Sequence, residues 1–165
     1  LKREGRSPVI TLEPKIRPGM IRERRKHMAR LNRMIAMADI LKISDEDVAW
    51  MTGKADVVAA ARKWLKAGAK IVVVTRGGNG VEAFTARDRI SRSAVKVKVA
   101  DTVGAGDTFT AGLITALQRA KLLTKAQLGT ISAADLDAAL AFAARAAAVT
   151  VSRPGCDPPW ASELA

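Results

Sequence analysis

The 165-residue chain has no tyrosine, three phenylalanines and three tryptophans, and it carries one histidine and one cysteine. Cys156 alone cannot form an internal disulfide, which fits a reducing, cytoplasmic compartment. A lone histidine excludes zinc sites of the two-cysteine, two-histidine type and leaves little for histidine-based catalysis. No apolar run approaches the roughly 20 residues needed to cross a bilayer, so no membrane partner is expected. The few aromatics give no stacking platform for nucleic acid, and no zinc or RNA-binding signature is present.

Acidic residues are also few: 16 against 28 lysines and arginines, a net charge of +12. The excess is concentrated, because residues 1–33 hold eleven basic residues and three acids. Within that stretch Ile21, Met28, Leu31, Ile35 and Ala38 recur as one apolar stripe of a helix. Arg22, Arg24, Arg25, Lys26, Arg30 and Arg33 occupy the remaining surface, with His27 expected to face solvent. Such a helix binds nucleic acid or an anionic membrane in some proteins. The solvated crossover helix of an α/β fold is the preferred reading here, and nucleic acid is not expected as a partner.

What the chain does contain is a glycine-rich turn. Residues 101–109 read Asp-Thr-Val-Gly-Ala-Gly-Asp-Thr-Phe. Val95, Val97 and Val99 alternate upstream as in a strand, while Phe109, Gly112, Leu113, Ala116 and Leu117 follow at helical spacing. The motif is therefore expected on a strand-to-helix turn. The first amides of a helix lack intrahelical partners, and the helix dipole adds positive potential at that end. Gly104, Ala105 and Gly106 could cradle a phosphate there. Asp107 beside a phosphate is unfavourable unless it is a general base for a hydroxyl lying between them. The plainer alternative is that Asp107 only favours the helix start and the glycines only turn the chain.

Six fixed residue types in Asp-Thr-x-Gly-Ala-Gly-Asp arise by chance about once in ten million start points. The string resembles the C-terminal signature of the ribokinase-like, or PfkB, family of carbohydrate kinases. Other segments extend the resemblance. Ile71-Val72-Val73-Val74-Thr75 reads as a buried parallel strand, and Arg76-Gly77-Gly78-Asn79-Gly80 follows it. The family's Thr-x-Gly-x-x-Gly loop, near the nucleotide phosphates, maps to Thr75, Gly77 and Gly80; a hairpin turn into Val81 is the alternative. Asp39–Ser44 followed by Asp45-Glu46-Asp47 is similar to the family's metal-associated Asn-x-x-Glu segment, with Ser44 and Asp47 at the two named positions. Glu13 and Lys15 stand where the family has the Asp and Asn of Asp-Pro-Asn. Residues 146–155, ending Arg153-Pro154-Gly155, are similar to the closing helix and the loop bordering adenine and a monovalent cation.

The resemblance implies an α/β fold with a mostly parallel sheet and helices on both faces, corresponding to the C-terminal half of a ribokinase-like fold. Residues 1–165 would form one nucleotide-binding portion, with the N-terminal sugar-binding half and its β lid absent. Self-association would then cover the exposed sheet edge. It implies phosphorylation of a sugar, fructose first, by ATP with Mg2+ and a monovalent cation such as K+. Asp107 would be the base; Gly104, Ala105 and Gly106 would stabilise the transferring phosphoryl; Gly155 would border the nucleotide. Asp47 would hold Mg2+ through water, and Asp101 the monovalent cation. The alternative is a truncated, inactive nucleotide-binding or interaction module. Ten alanines between Ala133 and Ala148 point to a closely packed helix capped by Ser132, preceded by a polar connection over residues 122–131.

Overall fold

Over residues 11–75 strands are separated by helices, and two further strands and then three α-helices follow. The computed structural model describes residues 8–164, so Lys2, Arg3 and Arg6 of the basic stretch lie outside the described residues. The order is β1 (Thr11–Leu12), α1 (Arg24–Met37), β2 (Ile40–Ser44), α2 (Asp45–Thr52), α3 (Val57–Ala67), β3 (Ile71–Thr75), β4 (Val81–Phe84), β5 (Arg89–Arg92), α4 (Ala105–Arg119), α5 (Lys125–Thr130) and α6 (Ala133–Val151). The strands form one mixed sheet in the order β1-β2-β3-β4-β5.

β1, β2 and β3 are parallel, with Leu12 opposite Leu41 and Lys42, Ile43 and Ser44 opposite Val73, Val74 and Thr75. Ile40, Leu41, Ile43 and Ile71 through Val74 are fully buried. In β2 and β3 residues of both faces are buried, which is why their sequences run apolar without alternation apart from Lys42. Each such side chain contributes about 1.5–3 kcal/mol by leaving water.

The chain divides into two compact units: the first runs up to Arg76 and adds Glu82–Ile90 and Thr124–Gly129. The second holds Gly77–Val81, Ser91–Leu123 and the chain from Thr130 on. In the first, Leu31 and Ile35 of α1 join Leu41, Ile43, Val48, Ala61, Trp64, Val72 and Val74 in a core. Met28 packs on its edge, so the apolar stripe of the basic helix is the inner face of a crossover helix; Ile21 packs there too but, like Arg22, precedes α1, and Ala38 follows it. His27 does not face solvent as expected. It is half-buried, its ring edge-on to Trp50 at 6.1 Å between centroids.

In the second unit α4 packs along α6. Gly112 permits the approach, since a Cβ there would lie 2.9 Å from Ala143 Cα. The alanines of α6 thus allow close packing, as their number suggested.

Two expected elements differ. Residues 95–99 form no strand: Val95, Val97 and Val99 are 42%, 38% and 59% exposed. Alternation satisfies the period of a strand, but a strand also needs a hydrogen-bonding neighbour and a face to bury. Conversely, the polar connection contains α5, started by Thr124 Oγ1 accepting from the Gln127 amide at 3.2 Å and anchored by fully buried Leu128. A helix of six residues is too short for periodicity to reveal.

Candidate functional site

The glycine turn is held to α6 before it reaches α4. The Ala100 and Asp101 amides donate to the Val151 carbonyl at 2.8 and 3.3 Å. The Asp101 carboxylate then accepts from the Val103 amide at 3.0 Å and from the Gly155 amide at 3.0 Å. Hydrogen bonding by Val103, then by Gly155 and Thr102, holds its pKa below the ordinary value against the opposing effect of desolvation. Thr102, Val103 and Gly104 close the turn, and Thr102 O accepts from the Ala105 amide at 3.3 Å.

Gly104 is the N-cap of α4, at φ 79° and ψ −8°, with no side-chain cap. That left-handed conformation costs a residue with a Cβ about 1–2 kcal/mol. A Cβ there would also meet Cys156, 2.2 Å from its Sγ. The chain therefore has two reasons for glycine at this position. Ala105, Gly106 and Asp107 form the first turn of α4, and the Asp107 side chain is exposed.

Thr108 and Phe109 face inward instead. The Thr108 hydroxyl accepts from Thr150 Oγ1 at 3.0 Å, a buried bond that ties the first turn of α4 to the last turn of α6. The motif thus splits by face: Asp107 toward solvent, Thr108 and Phe109 toward the helix pair.

Asp101, Gly104, Ala105, Gly106, Asp107 and Gly155 therefore belong to one neighbourhood in the second unit. Gly155, at φ 72°, lies in a loop braced from the C-terminal side. Arg153 pairs there with Asp157 at 3.3 Å and with Glu163. The Glu163 hydrogen bond raises the Arg153 pKa, and Arg153 in turn lowers that of Glu163.

Gly77 and Gly80 also lie in the second unit, where Gly77–Asn79 is a 3-10 turn. Gly80 has a structural requirement of its own: at φ 94°, a Cβ would come within 2.0 Å of the Arg92 carbonyl oxygen. Thr75 ends β3 in the first unit. Asp47, half-buried, stands in the first turn of α2, its amide donating to the N-cap oxygen Ser44 Oγ at 3.1 Å.

Several pairings near these positions carried no local signal in the sequence. Glu82 is a buried carboxylate accepting from Arg76 at 2.5 Å and from Arg89 at 2.8 Å. It braces the residue that follows Thr75. Lys42, equally buried, pairs with Glu13 at 2.7 Å, so the two charges neutralise each other next to the end of β1. Cys156 and Thr150 gain their roles only from folding, since each acts on a residue about 40 or more positions away.

The donor set at α4 fits a phosphate: a helix N-terminus whose cap residue brings no competing side chain. Among the described residues no helix is long and apolar enough to cross a membrane.

Residues 12–163 match the model of the pfkB family carbohydrate kinases. A fructokinase of Rhizobium leguminosarum bv. trifolii is 47% identical over 131 residues, which cover 79% of this chain and 40% of that protein. Aminoimidazole riboside kinase from Salmonella enterica, solved with aminoimidazole riboside and an ATP analog, superposes with a TM-score of 0.80 at 25% identity, over 94% of this chain and 50% of that one. Fructokinase from Vibrio cholerae O395, solved with fructose, ADP and calcium ion, gives 0.74 at 27% identity, over 90% and 46%. The chain spans about two fifths of the length of the curated relatives it matches, between 35% and 40% for the first three. This chain belongs to the pfkB family of carbohydrate kinases.

Proposed function

We propose that the intact protein transfers a phosphoryl group from ATP to a hydroxyl of a sugar, fructose first, and that this chain supplies the nucleotide site and the catalytic base. The observation that carries this reading is the exposed Asp107 in the first turn of a helix whose N-cap is a left-handed glycine. Asp107 accepts the proton of the attacking hydroxyl. The first turn of α4, Gly104 through Gly106, stabilises charge on the transferring group, a contribution of about 100- to 1,000-fold for one such donor. Thr75, Gly77, Gly80 and Gly155 are assigned to nucleotide contact, Asp47 to Mg2+ through water and Asp101 to a monovalent cation such as K+. Bound Mg2+ supplies neutralisation of phosphate charge. Fructose is favoured by the fructokinase relative and by the neighbour solved with fructose and ADP.

A second reading is a nucleotide-binding or interaction module without turnover of its own. Calorimetry with ATP separates the two when paired with a sugar-dependent ADP-release assay. Under the first reading the full-length protein turns over fructose, and Asp107→Asn lowers the rate about 100-fold or more. Retention of over about a tenth of that rate removes Asp107 as the base.

A further inference from the structure

The Asp101 carboxylate is used twice, and its two partners lie far apart in sequence. Oδ1 accepts from the Val103 amide at 3.0 Å inside the turn before α4. Oδ2 accepts from the Gly155 amide at 3.0 Å, 54 residues later, in the loop that leaves α6. The backbone bonds of Ala100 and Asp101 to the Val151 carbonyl run alongside. Beyond the carboxylate, Cys156 lies over Gly104, the N-cap of α4, with its Cβ 3.3 Å from where a Gly104 Cβ would stand. Arg153, with Asp157 and Glu163, holds the same loop. Loop and turn are thus fixed to each other through one side chain and two amides.

We propose that Asp101 is a positioning residue of the nucleotide site, its carboxylate clamping the 153–157 loop against the N-terminus of α4 before nucleotide arrives. The proposal rests on the reading of Gly155 and Gly104–Gly106 as nucleotide contacts, and it adds what sets their spacing. A loop ordered in advance loses less conformational freedom on binding, so the clamp acts on affinity. An ionised acceptor strengthens both bonds, as charge-assisted hydrogen bonds are roughly twice as strong as neutral ones.

The test uses full-length protein carrying Asp101→Ala or Asp101→Asn. The asparagine amide has one acceptor oxygen and an NH2 that cannot accept, so it keeps at most one of the two bonds. That variant preserves part of the turn should the alanine variant fold poorly. Two quantities are read: hydrogen exchange at the Val103 and Gly155 amides, and ADP affinity by calorimetry in K+ and in tetramethylammonium buffer. In Asp101→Ala both amides should exchange about tenfold faster or more, and ADP should bind about tenfold more weakly, with Asp101→Asn intermediate. Unchanged exchange at Gly155, or unchanged ADP affinity beside faster exchange, overturns the proposal. So does an Asp101→Ala variant that binds ADP more weakly than wild type in K+ but equally well in tetramethylammonium, since loss of a bound cation would then explain the effect. A wild-type protein that binds no ADP removes the functional reading itself, whereas normal turnover with an ineffective Asp101→Ala removes only the clamp.

Discussion

Helices α4 and α6 pack together in one unit and each has an aspartate in its first turn, yet their N-termini are built in opposite ways. At α6 the cap is Ser132, in extended conformation, whose hydroxyl accepts from the Asp135 amide at 3.1 Å and donates to the Asp135 carboxylate at 2.6 Å. Serine and aspartate there satisfy the helix end and each other. At α4 the cap is a glycine with no side chain to offer, and the aspartate is exposed. What closes against that end comes from Asp101 and from Cys156. In the other unit α2 repeats the self-contained design, with Ser44 capping Asp47. An acidic first turn is therefore ordinary chemistry, and the residue before it distinguishes an end capped by its own serine from one closed by residues distant in sequence.

The sharpest way to break this comparison is to neutralise the two aspartates in turn. In full-length protein Asp107→Asn should lower sugar-dependent turnover about 100- to 10,000-fold. Asp135→Asn should leave turnover within about twofold, because Ser132 still accepts from the residue 135 amide and the altered side chain only weakens a cap worth about 1 kcal/mol. Comparable losses in the steady-state rates of the two variants would erase the distinction.

Next comes the contact that holds the two helices in register. Gly112→Ala places a methyl group 2.9 Å from Ala143 Cα, a backbone atom that cannot rotate away. Overpacking of that kind costs about 1–3 kcal/mol, readable as a lower urea midpoint with unchanged slope. Gly129→Ala is the control: beyond its chain neighbours and its own helix backbone no atom lies within 4 Å of its Cβ position, and α5 should gain about 0.5–1 kcal/mol. Equal effects at the two glycines would mean that α4 and α6 adjust freely.

Much of this was legible beforehand because the signals are local. The strand at Ile71–Thr75, the cap at Ser132 and the turn at Gly104 each follow from a few adjacent residues. The apolar stripe through Leu31 and Ile35 likewise named the inner face of α1. Residues 95–99 misled because alternation says nothing about whether a neighbouring strand exists. α5 escaped notice because Leu128 alone carries its burial. The Asp101–Gly155 bond, the Thr108–Thr150 bond and the Cys156–Gly104 approach span 42 to 54 positions, and no window along the chain reports them. Glu82 reads as an ordinary strand residue until Arg76 and Arg89 converge on it.

The caps themselves give smaller and separable effects. Gly104→Ala should cost about 1–2 kcal/mol through its left-handed conformation, plus the collision with Cys156 Sγ. Cys156→Ala in the same chain removes the sulfur and should recover the second part only. Ser132→Ala should cost about 1 kcal/mol, with no recovery from any change at residue 156. A double variant of Gly104→Ala and Cys156→Ala as unstable as the single Gly104→Ala would show that conformation, not the sulfur, sets the whole penalty at α4.

The smallest effect lies at the other end of α4, where the glycine logic is reversed. Lys121, just past the helix, sits at φ 59° although it has a side chain. Its amide donates to the Gln118 carbonyl at 3.0 Å, and the Leu122 amide donates to the Leu117 carbonyl at 2.8 Å, so the left-handed turn satisfies the last carbonyls of the helix. Lysine bears about 1–2 kcal/mol of strain there. Glycine would relieve it while costing about 0.5–1 kcal/mol in unfolded-chain entropy. Because Lys121 is exposed, little packing is lost. Lys121→Gly should therefore raise stability by about 0.5–1 kcal/mol in urea melts, with nucleotide affinity unchanged. Destabilisation would mean that the lysine stem or its charge at the helix C-terminus contributes more than the strain it carries.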